Sequence, residues 1–327
     1  MLETALTCAE PLPLPRRSLG RDKDSIWAIV LAGGEGRRLR PLTRQLYGEG
    51  RPKQYAALTG SRSPLRQTLA RVARVIPPER TVVVSQVTHD RYLAAELCDC
   101  PDVHVLAQPA DRGTAAAVLL AAHWISARDP KATVAAFPTD HFILEEGLFM
   151  GCVAQVVGYV RAHPEWLVLL GVQPTGPETD YGWIEPGERV GWTARGPLYR
   201  VRRFEEKPPE ELARRLFVRG GLWNTLVFAT GVSTLIDAGL ECVPLLHDRL
   251  VRLRLFIDTE FESWGLRQAY EFAPTADFSR AILESSSVPL AVAQLPSLTW
   301  CDLGTPERVA HALRQSASEY ARLPLSS

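Results

Sequence analysis

Asparagine and lysine are scarce in this chain of 327 residues. Asparagine occurs once, at position 224, and lysine occurs only at positions 23, 53, 131 and 207, so the other 33 of the 37 basic residues are arginines. A chain that uses arginine for its ordinary surface cations keeps a lysine or an asparagine most readily where that residue's own chemistry is needed. The scarcity therefore marks Lys53, Lys207 and Asn224 as candidates for a functional site.

An excess of positive charge and a long apolar run are also missing. Lys plus Arg and Asp plus Glu each number 37, which excludes wholesale binding to nucleic acid or to an anionic membrane. The longest apolar run, residues 115–125, is broken by His123 and is far shorter than the roughly 20 residues of a membrane helix. Residues 1–25 carry Glu3 and Glu10 and have no continuous apolar stretch, which argues against a signal peptide. The six cysteines form no C-x-x-C pair, so we expect reduced thiols and a cytoplasmic protein.

The order of apolar segments predicts the fold. Short apolar runs at 26–32, 81–85, 103–107 and 133–137 are typical of buried strands, and helical spacing appears between them, at 65–76, 92–97 and 114–127. This alternation predicts an α/β fold with a doubly wound, mainly parallel (mixed) Rossmann-like sheet. Further predicted strands at 167–172, 199–204 and 222–228, with helices near 209–219 and 305–320, indicate an inserted substrate-binding portion.

The segments that follow the predicted strands are the places where such sheets bind ligands. The first is LAGGEGRRLRPLT at 31–43, in which glycines allow a phosphate to approach the backbone and arginines supply charge. It lacks the third glycine of G-x-G-x-x-G, which argues against a nicotinamide oxidoreductase. It also lacks the G-K-[ST] end of a P-loop, which argues against a P-loop ATPase.

The same loop, followed by RPKQY at 51–55, resembles the signature of the sugar-1-phosphate nucleotidylyltransferases. Six more segments follow in the family's order: QPADRGTA at 108–115, FPTDH at 137–141, TDYGWIEPG at 179–187, FEEKP at 204–208, LWNT at 222–225 and WCDLGTPE at 300–307. The resemblance covers residues 26 to about 315, and within the superfamily it is strongest to the mannose-1-phosphate guanylyltransferases. It implies transfer of a nucleotidyl group from a nucleoside triphosphate, expected to be GTP, to a hexose-1-phosphate, expected to be mannose-1-phosphate, with release of pyrophosphate.

A sugar phosphate is already an anionic nucleophile, so this reaction needs positioned cations and a metal rather than a general base. The resemblance implies catalytic roles for Arg38, Lys53 and Asp140, and it makes Asp140 and Asp302 the ligands of a Mg²⁺ cofactor. The nucleotide-binding residues that it implies are Leu31, Ala32, Gly33, Gly34, Gly36, Arg38, Lys53, Gln108, Arg112, Gly113 and Thr114.

The resemblance also divides the chain. It assigns sugar-phosphate binding to Gly182, Glu206, Lys207 and Asn224. Residues 1–24, with the PLPLP run at 11–15, are predicted to be an extended N-terminal arm. Residues 25–322 are predicted to be a single catalytic domain, with a nucleotide-binding part at about 25–165, a sugar-phosphate-binding part at about 166–304 and a C-terminal helix at about 305–322. We expect a stand-alone catalytic unit and leave a homodimer open, while His141, Tyr181 and Trp183 are interpreted as structural.

Five positions depart from the family's pattern. Arg37 and Arg40 replace residues that are usually Thr or Ser and aromatic, Gly113 stands where Asn is typical, Leu226 replaces a glycine, and Ser279 falls at an aspartate. The phosphate and metal residues are unaffected, but the base and the sugar stay open. Two alternatives therefore remain: a uridylyl- or thymidylyltransferase acting on another hexose-1-phosphate, and a non-catalytic regulatory subunit that senses nucleotide-sugars. Because Gly113 removes a side chain near the base, we expect GTP to be preferred with looser discrimination.

Overall fold

The computed structural model describes residues 25–285 and 287–320. The predicted N-terminal arm, residues 1–24, lies outside the described residues, and so do the last two residues of the predicted domain.

Strands and helices alternate through the first half of the chain and then give way to a more strand-rich region. The strands are β1 Ile26–Leu31, β2 Thr81–Gln86, β3 His104–Gln108, β4 Thr133–Pro138, β5 His141–Ile143, β6 Leu167–Val172, β7 Gly182–Thr193, β8 Gly196–Glu206, β9 Leu222–Gly231, β10 Leu290–Gln294 and β11 Trp300–Asp302. The α-helices are α1 Arg40–Tyr47, α2 Pro64–Val72, α3 Asp90–Leu97, α4 Gly113–Arg128, α5 Glu146–Ala162, α6 Glu210–Val218, α7 Val232–Cys242, α8 Pro244–Val251, α9 Glu262–Glu271 and α10 Pro306–Tyr320.

The central sheet has nine strands in the order β3-β2-β1-β4-β9-β6-β10-β8-β7. Strands β3, β2, β1 and β4 run parallel, whereas β9 is antiparallel to both β4 and β6. The long hairpin of β7 and β8 completes the sheet, and β7 also pairs with the first residues of β9. The predicted α/β fold with a mixed sheet is confirmed. The sequence predicted the four parallel strands β1 to β4, but it did not predict β10, which runs parallel to β6.

Alternation along the strands buries both faces of the sheet. Ile29 and Val84 belong to an apolar cluster that includes residues of α4, α7 and α8, while Val30 and Val83 belong to a second cluster with residues of α2 and α5. Helices on both faces are the doubly wound arrangement. In the part of the chain that the structure describes, none of the helices has the length and apolar character needed to cross a membrane.

Several elements were not predicted. Strand β7 contains Pro186, Gly187 and Gly191, and its pairing with β8 shifts register at these residues, so its sequence shows no regular alternation. Helix α5 also went unpredicted, although it spans 17 residues and buries one face.

A small sheet lies apart from the large one. In it, β5 and β11 pair antiparallel, with Asp302 opposite His141. This pairing brings together two segments of the chain that are separated by about 160 residues, and both carry predicted metal ligands.

Candidate active site

A cavity of about 320 Å³ opens at the carboxyl ends of β1, β3 and β4. Eight predicted site residues line it: Leu31, Gly33, Gly34, Lys53, Gln108, Gly113, Thr114 and Asp140. This is the edge at which open α/β sheets bind their ligands. The structure therefore places most of the predicted nucleotide-binding residues around one cavity.

The glycine loop after β1 is held through its carbonyl groups. Gln54 Nε2 donates to the carbonyl oxygens of Ala32 at 2.7 Å and Gly34 at 2.8 Å, and Gln86 Nε2 donates to that of Gly33 at 3.0 Å. Gln54 is buried, so these bonds are shielded from water. The loop is thus fixed before any ligand binds, which suits a site that must hold phosphate groups in a defined position.

Lys53 is anchored between two distant segments of the chain. Its Nζ donates to Asp140 Oδ2 at 2.6 Å and to the carbonyl oxygen of Leu303 at 3.3 Å. Burial would raise the pKa of Asp140, but the charge of Lys53 and the hydrogen bond that it donates outweigh this effect and lower that pKa to about 2. His141 itself is buried, which lowers its pKa to about 4 and leaves it neutral at pH 7. Asp140 is therefore a carboxylate with a built-in cation beside it.

Asp302, the second predicted metal ligand, has a different environment. Tyr181 Oη donates to Asp302 Oδ1 at 2.6 Å, and Arg308 Nη1 lies 2.9 Å from Oδ1 and 3.1 Å from Oδ2. Burial raises the pKa of Asp302, and the negative charge of nearby Asp140 acts in the same direction. Leu303 N donates to the carbonyl oxygen of Asp140 at 2.6 Å, so the backbones that carry the two carboxylates are bonded to each other.

The two carboxylates suit the metal that the sequence predicts. Mg²⁺ takes hard oxygen ligands and is usually held by one or two carboxylates together with substrate phosphates. Asp140 and Asp302 supply such a pair beside the cavity. Within residues 25–285 and 287–320, no group of three or more His, Cys, Asp or Glu side chains could hold a metal. The pair therefore fits a cation whose remaining ligands come from a substrate.

The predicted sugar-phosphate residues come together at the start of β7. A Cβ atom added to Gly182 would lie 2.7 Å from Glu206 Oε2 and 3.3 Å from Asn224 Cβ, so a larger residue here would force the Glu206 side chain to move. Lys207 Nζ lies 2.9 Å from Glu206 Oε1. Tyr181, which precedes Gly182, is the residue that bonds Asp302. The sugar-phosphate cluster is thus connected directly to the carboxylate pair.

Two residues of this region have a left-handed backbone, which non-glycine residues rarely adopt. Lys207 has φ 53° and Leu226 has φ 57°. Leu226 N donates to Asn224 Oδ1 at 3.0 Å, and Leu226 lines the cavity. The left-handed backbone gives a physical reason why glycine is usual at position 226 in the family that this chain resembles. Such strain costs on the order of 1–3 kcal/mol per residue and is found most often at functional sites.

Gly113, at the start of α4, is also left-handed, with φ 80°. A Cβ atom here would lie 2.3 Å from the carbonyl oxygen of Ala276, and Thr114 Oγ1 both donates to Asp277 Oδ2 and accepts from Phe278 N. The segment 276–278 therefore occupies the space that a side chain at position 113 would need.

Four of the predicted nucleotide-binding residues do not line the cavity: Ala32, Gly36, Arg38 and Arg112. Arg38 is exposed and its Nη1 lies 3.3 Å from Asp180 Oδ2, on the sugar-phosphate side. The guanidinium of Arg112 donates to the carbonyl oxygens of Tyr270 and Glu271 at the end of α9. Gly36 forms a left-handed turn against Lys53.

Other residues of the site were not predicted from the sequence. The cavity is also lined by Gln54, Gln86, Asp111, Ala117, Pro138, Thr139, Leu226 and Asp277. Gln54 belongs to the P-K-Q segment of the family signature, so the sequence could have indicated that it is part of the site. Arg308 carries no signal in a chain with 33 arginines, and Tyr181 had been interpreted as packing.

The structure and the sequence resemble known proteins over the same region. Residues 27–319 match the sequence model of the nucleotidyl transferase family. The xanthan biosynthesis protein XanB of Xanthomonas campestris is 30% identical over 282 residues, which is 85% of this chain and 57% of that protein. A mannose-1-phosphate guanylyltransferase of Escherichia coli is 27% identical over 289 residues, which is 86% of this chain and 59% of that protein.

Among solved structures, a Thermus thermophilus protein described as mannose-1-phosphate geranyltransferase superposes with a TM-score of 0.72 at 29% identity, over 86% of this chain and 76% of that one. The chain thus spans less than two thirds of the length of the curated relatives named above. The family model nevertheless covers nearly all of the described residues, including the glycine loop and both carboxylates. The chain belongs to the nucleotidyl transferase family.

Proposed function

We propose that this chain transfers a guanylyl group from GTP to mannose-1-phosphate, giving GDP-mannose and pyrophosphate. The observation that carries the proposal is the meeting of the glycine loop, Lys53 and the Asp140–Asp302 pair beside the Gly182–Glu206–Asn224 cluster. This arrangement supplies a place for a triphosphate and an adjoining place for a sugar phosphate. The choice of GTP and mannose-1-phosphate rests on relatives 27–32% identical that carry the name mannose-1-phosphate guanylyltransferase.

The proposed roles follow from charge and position. Lys53 faces the cavity and stabilises the negative charge that grows on the phosphate chain as the bond to pyrophosphate breaks. Lys207, beside Glu206, binds the sugar phosphate, which is charged from the moment it enters. Glu206 and Asn224 present acceptors and donors to sugar hydroxyl groups. Asp140 and Asp302 would hold a Mg²⁺ ion, which neutralises charge on phosphate oxygens when it is bound.

The proposal is tested by measuring pyrophosphate release from each of four nucleoside triphosphates with each of several hexose-1-phosphates, with Mg²⁺ present. A clear preference for dTTP or UTP would replace GTP by a thymidylyl or uridylyl donor. Nucleotide-sugar binding without turnover of any pair would indicate a regulatory subunit instead. In either case the family membership would stand.

A further inference from the structure

The carboxylate of Asp302 is already neutralised within the chain. Arg308 Nη1 contacts both of its oxygens, at 2.9 and 3.1 Å, and Tyr181 Oη donates to Oδ1 at 2.6 Å. The side chains of Arg308 and Asp302 are only 16% and 19% exposed, so water screens this pair weakly. Arg308 is thus a counter-ion of a predicted metal ligand, and Asp302 is the carboxylate that it contacts most closely.

The neighbouring carboxylate, that of Asp140, also has a counter-ion within the chain. Lys53 Nζ lies 2.6 Å from Asp140 Oδ2. The two aspartates and their two cations together carry no net charge. A free divalent cation is therefore offered little electrostatic attraction, and it would have to displace Arg308 or share Asp302 with it.

Arg308 has other partners within reach if it leaves Asp302. Its Nη2 lies 3.6 Å from Asp180 Oδ2 and 3.7 Å from Glu178 Oε2. Its guanidinium carbon stands 4.4 Å from the ring centre of Tyr181. Glu178 and Asp180 stand in the segment just before Gly182, so the partners that Arg308 could move to lie on the sugar-phosphate side of the site. If Arg308 released Asp302, its guanidinium would still be paired with Asp180 and Glu178.

We propose that Arg308 is a positioning residue that occupies Asp302 in the free protein and makes divalent-cation binding at this carboxylate depend on the nucleotide. The proposal rests on the proposed function, since the negative charge that tips the balance is that of a bound triphosphate. A triphosphate in the cavity would make the site strongly anionic, and a divalent cation held by Asp140 and Asp302 would then neutralise part of that charge. Without a bound triphosphate, Arg308 holds Asp302 in place and compensates its negative charge.

The test is a Mn²⁺ titration of the full chain without nucleotide, in which electron paramagnetic resonance measures free Mn²⁺. Removing one positive charge within a few ångströms of the ion should raise its affinity by at least about tenfold. We expect this gain in Arg308→Gln and in Arg308→Met, which keeps the aliphatic stem against Tyr181. Arg308→Lys, which keeps the charge, should bind Mn²⁺ as weakly as the unmodified chain does. Arg314→Gln removes an exposed arginine from the same helix and is the matched control.

A second substitution shows where the extra Mn²⁺ binds. Adding Asp302→Asn to Arg308→Gln should return the affinity to that of the unmodified chain. Unchanged or weaker Mn²⁺ binding in folded Arg308→Gln and Arg308→Met would overturn the proposal, and so would tight binding by the unmodified chain. Because no nucleotide or sugar is present, these outcomes do not depend on GTP or mannose-1-phosphate being the substrates, and a failed turnover assay would leave the titration result intact.

Discussion

Lys53 and Asp140 form an ion pair of 2.6 Å at the wall of the cavity, although they are 87 residues apart in the chain. Both were predicted to be catalytic, one as a cation for phosphate and the other as a metal ligand. In the protein without ligands, the positive charge of Lys53 and the negative charge of Asp140 therefore compensate each other. A triphosphate with its cation would separate them, with Lys53 turning to phosphate oxygens and Asp140 to the metal.

Replacing Lys53 should slow the chemical step. Because the contact strengthens as charge develops on the phosphate chain, Lys53→Ala should lower kcat by about 10²–10³-fold and change the KM of either substrate less. Lys53→Arg should not restore the rate, since a broad guanidinium cannot take the place of a compact ammonium. Lys131→Ala, at an exposed lysine, is the control and should leave steady-state kinetics unchanged. A fully active Lys53→Arg variant would show that this placement is wrong.

Replacing Lys207 should act on the other substrate. The sugar phosphate is charged in the ground state, so losing Lys207 removes binding rather than transition-state stabilisation. Lys207→Ala should therefore raise the KM for the sugar phosphate and leave the KM for the nucleotide nearly unchanged. Kinetics with each substrate varied separately measure this, and an effect confined to the nucleotide KM would contradict the assignment.

Asparagine is the residue that the family resemblance leads one to expect at position 113. We expect its introduction there to destabilise this protein. The new Cβ would stand 2.3 Å from the backbone oxygen of Ala276, and backbone cannot move aside as a flexible side chain can. We expect Gly113→Asn to lower the free energy of unfolding by about 2 kcal/mol, which is typical of overpacking. Gly220→Asn is the matched control, since Gly220 also has a left-handed backbone, with φ 77°, and nothing lies within 4 Å of a Cβ there. Equal stability of the two variants in a denaturant titration would refute the steric argument.

A buried histidine should make the protein sensitive to acid. His123 in α4 is fully buried beside His247, with both ring nitrogens unpartnered among the described residues, and burial with the charges of His247 and Arg254 lowers its pKa to about 3. The unfolded chain takes up a proton near pH 6.5, where the folded chain does not. Stability is therefore full above pH 6.5 and falls as the pH drops from there toward 3.

By pH 5 this loss should reach about 2 kcal/mol relative to pH 7.5. His123→Leu should remove that part of the pH dependence, and denaturant titrations at the two pH values measure it. The half-exposed His163 gives the control His163→Leu, which should keep the dependence of the unmodified chain. If the free energy of unfolding fell by the same amount between pH 7.5 and pH 5 in all three proteins, the pKa of His123 would not be lowered by folding.

The sequence was sufficient for strands β1 to β4 because each is a short continuous apolar run that alternates with a helical segment, as at 26–32 and 133–137. It also marked the glycine loop and both carboxylates. It could not indicate that Asp302 is held by Arg308 and Tyr181, because those contacts exist only once β11, α10 and the segment before β7 have come together. Strand β7 was missed for a local reason, since Pro186 and Gly187 interrupt its pattern while pairing with β8 keeps it extended.

The central claim is guanylyl transfer to mannose-1-phosphate, and its most direct test is the rate of pyrophosphate release from GTP and mannose-1-phosphate. With Mg²⁺ present, kcat/KM for this pair should exceed that for ATP, UTP or dTTP by at least about tenfold, since hydrogen bonding to a base discriminates strongly. The rate should vanish in EDTA and return with Mg²⁺, and Asp140→Asn and Asp302→Asn should each remove most of it. Turnover that is unaffected by EDTA, or a preference for dTTP or UTP over GTP, would contradict the account.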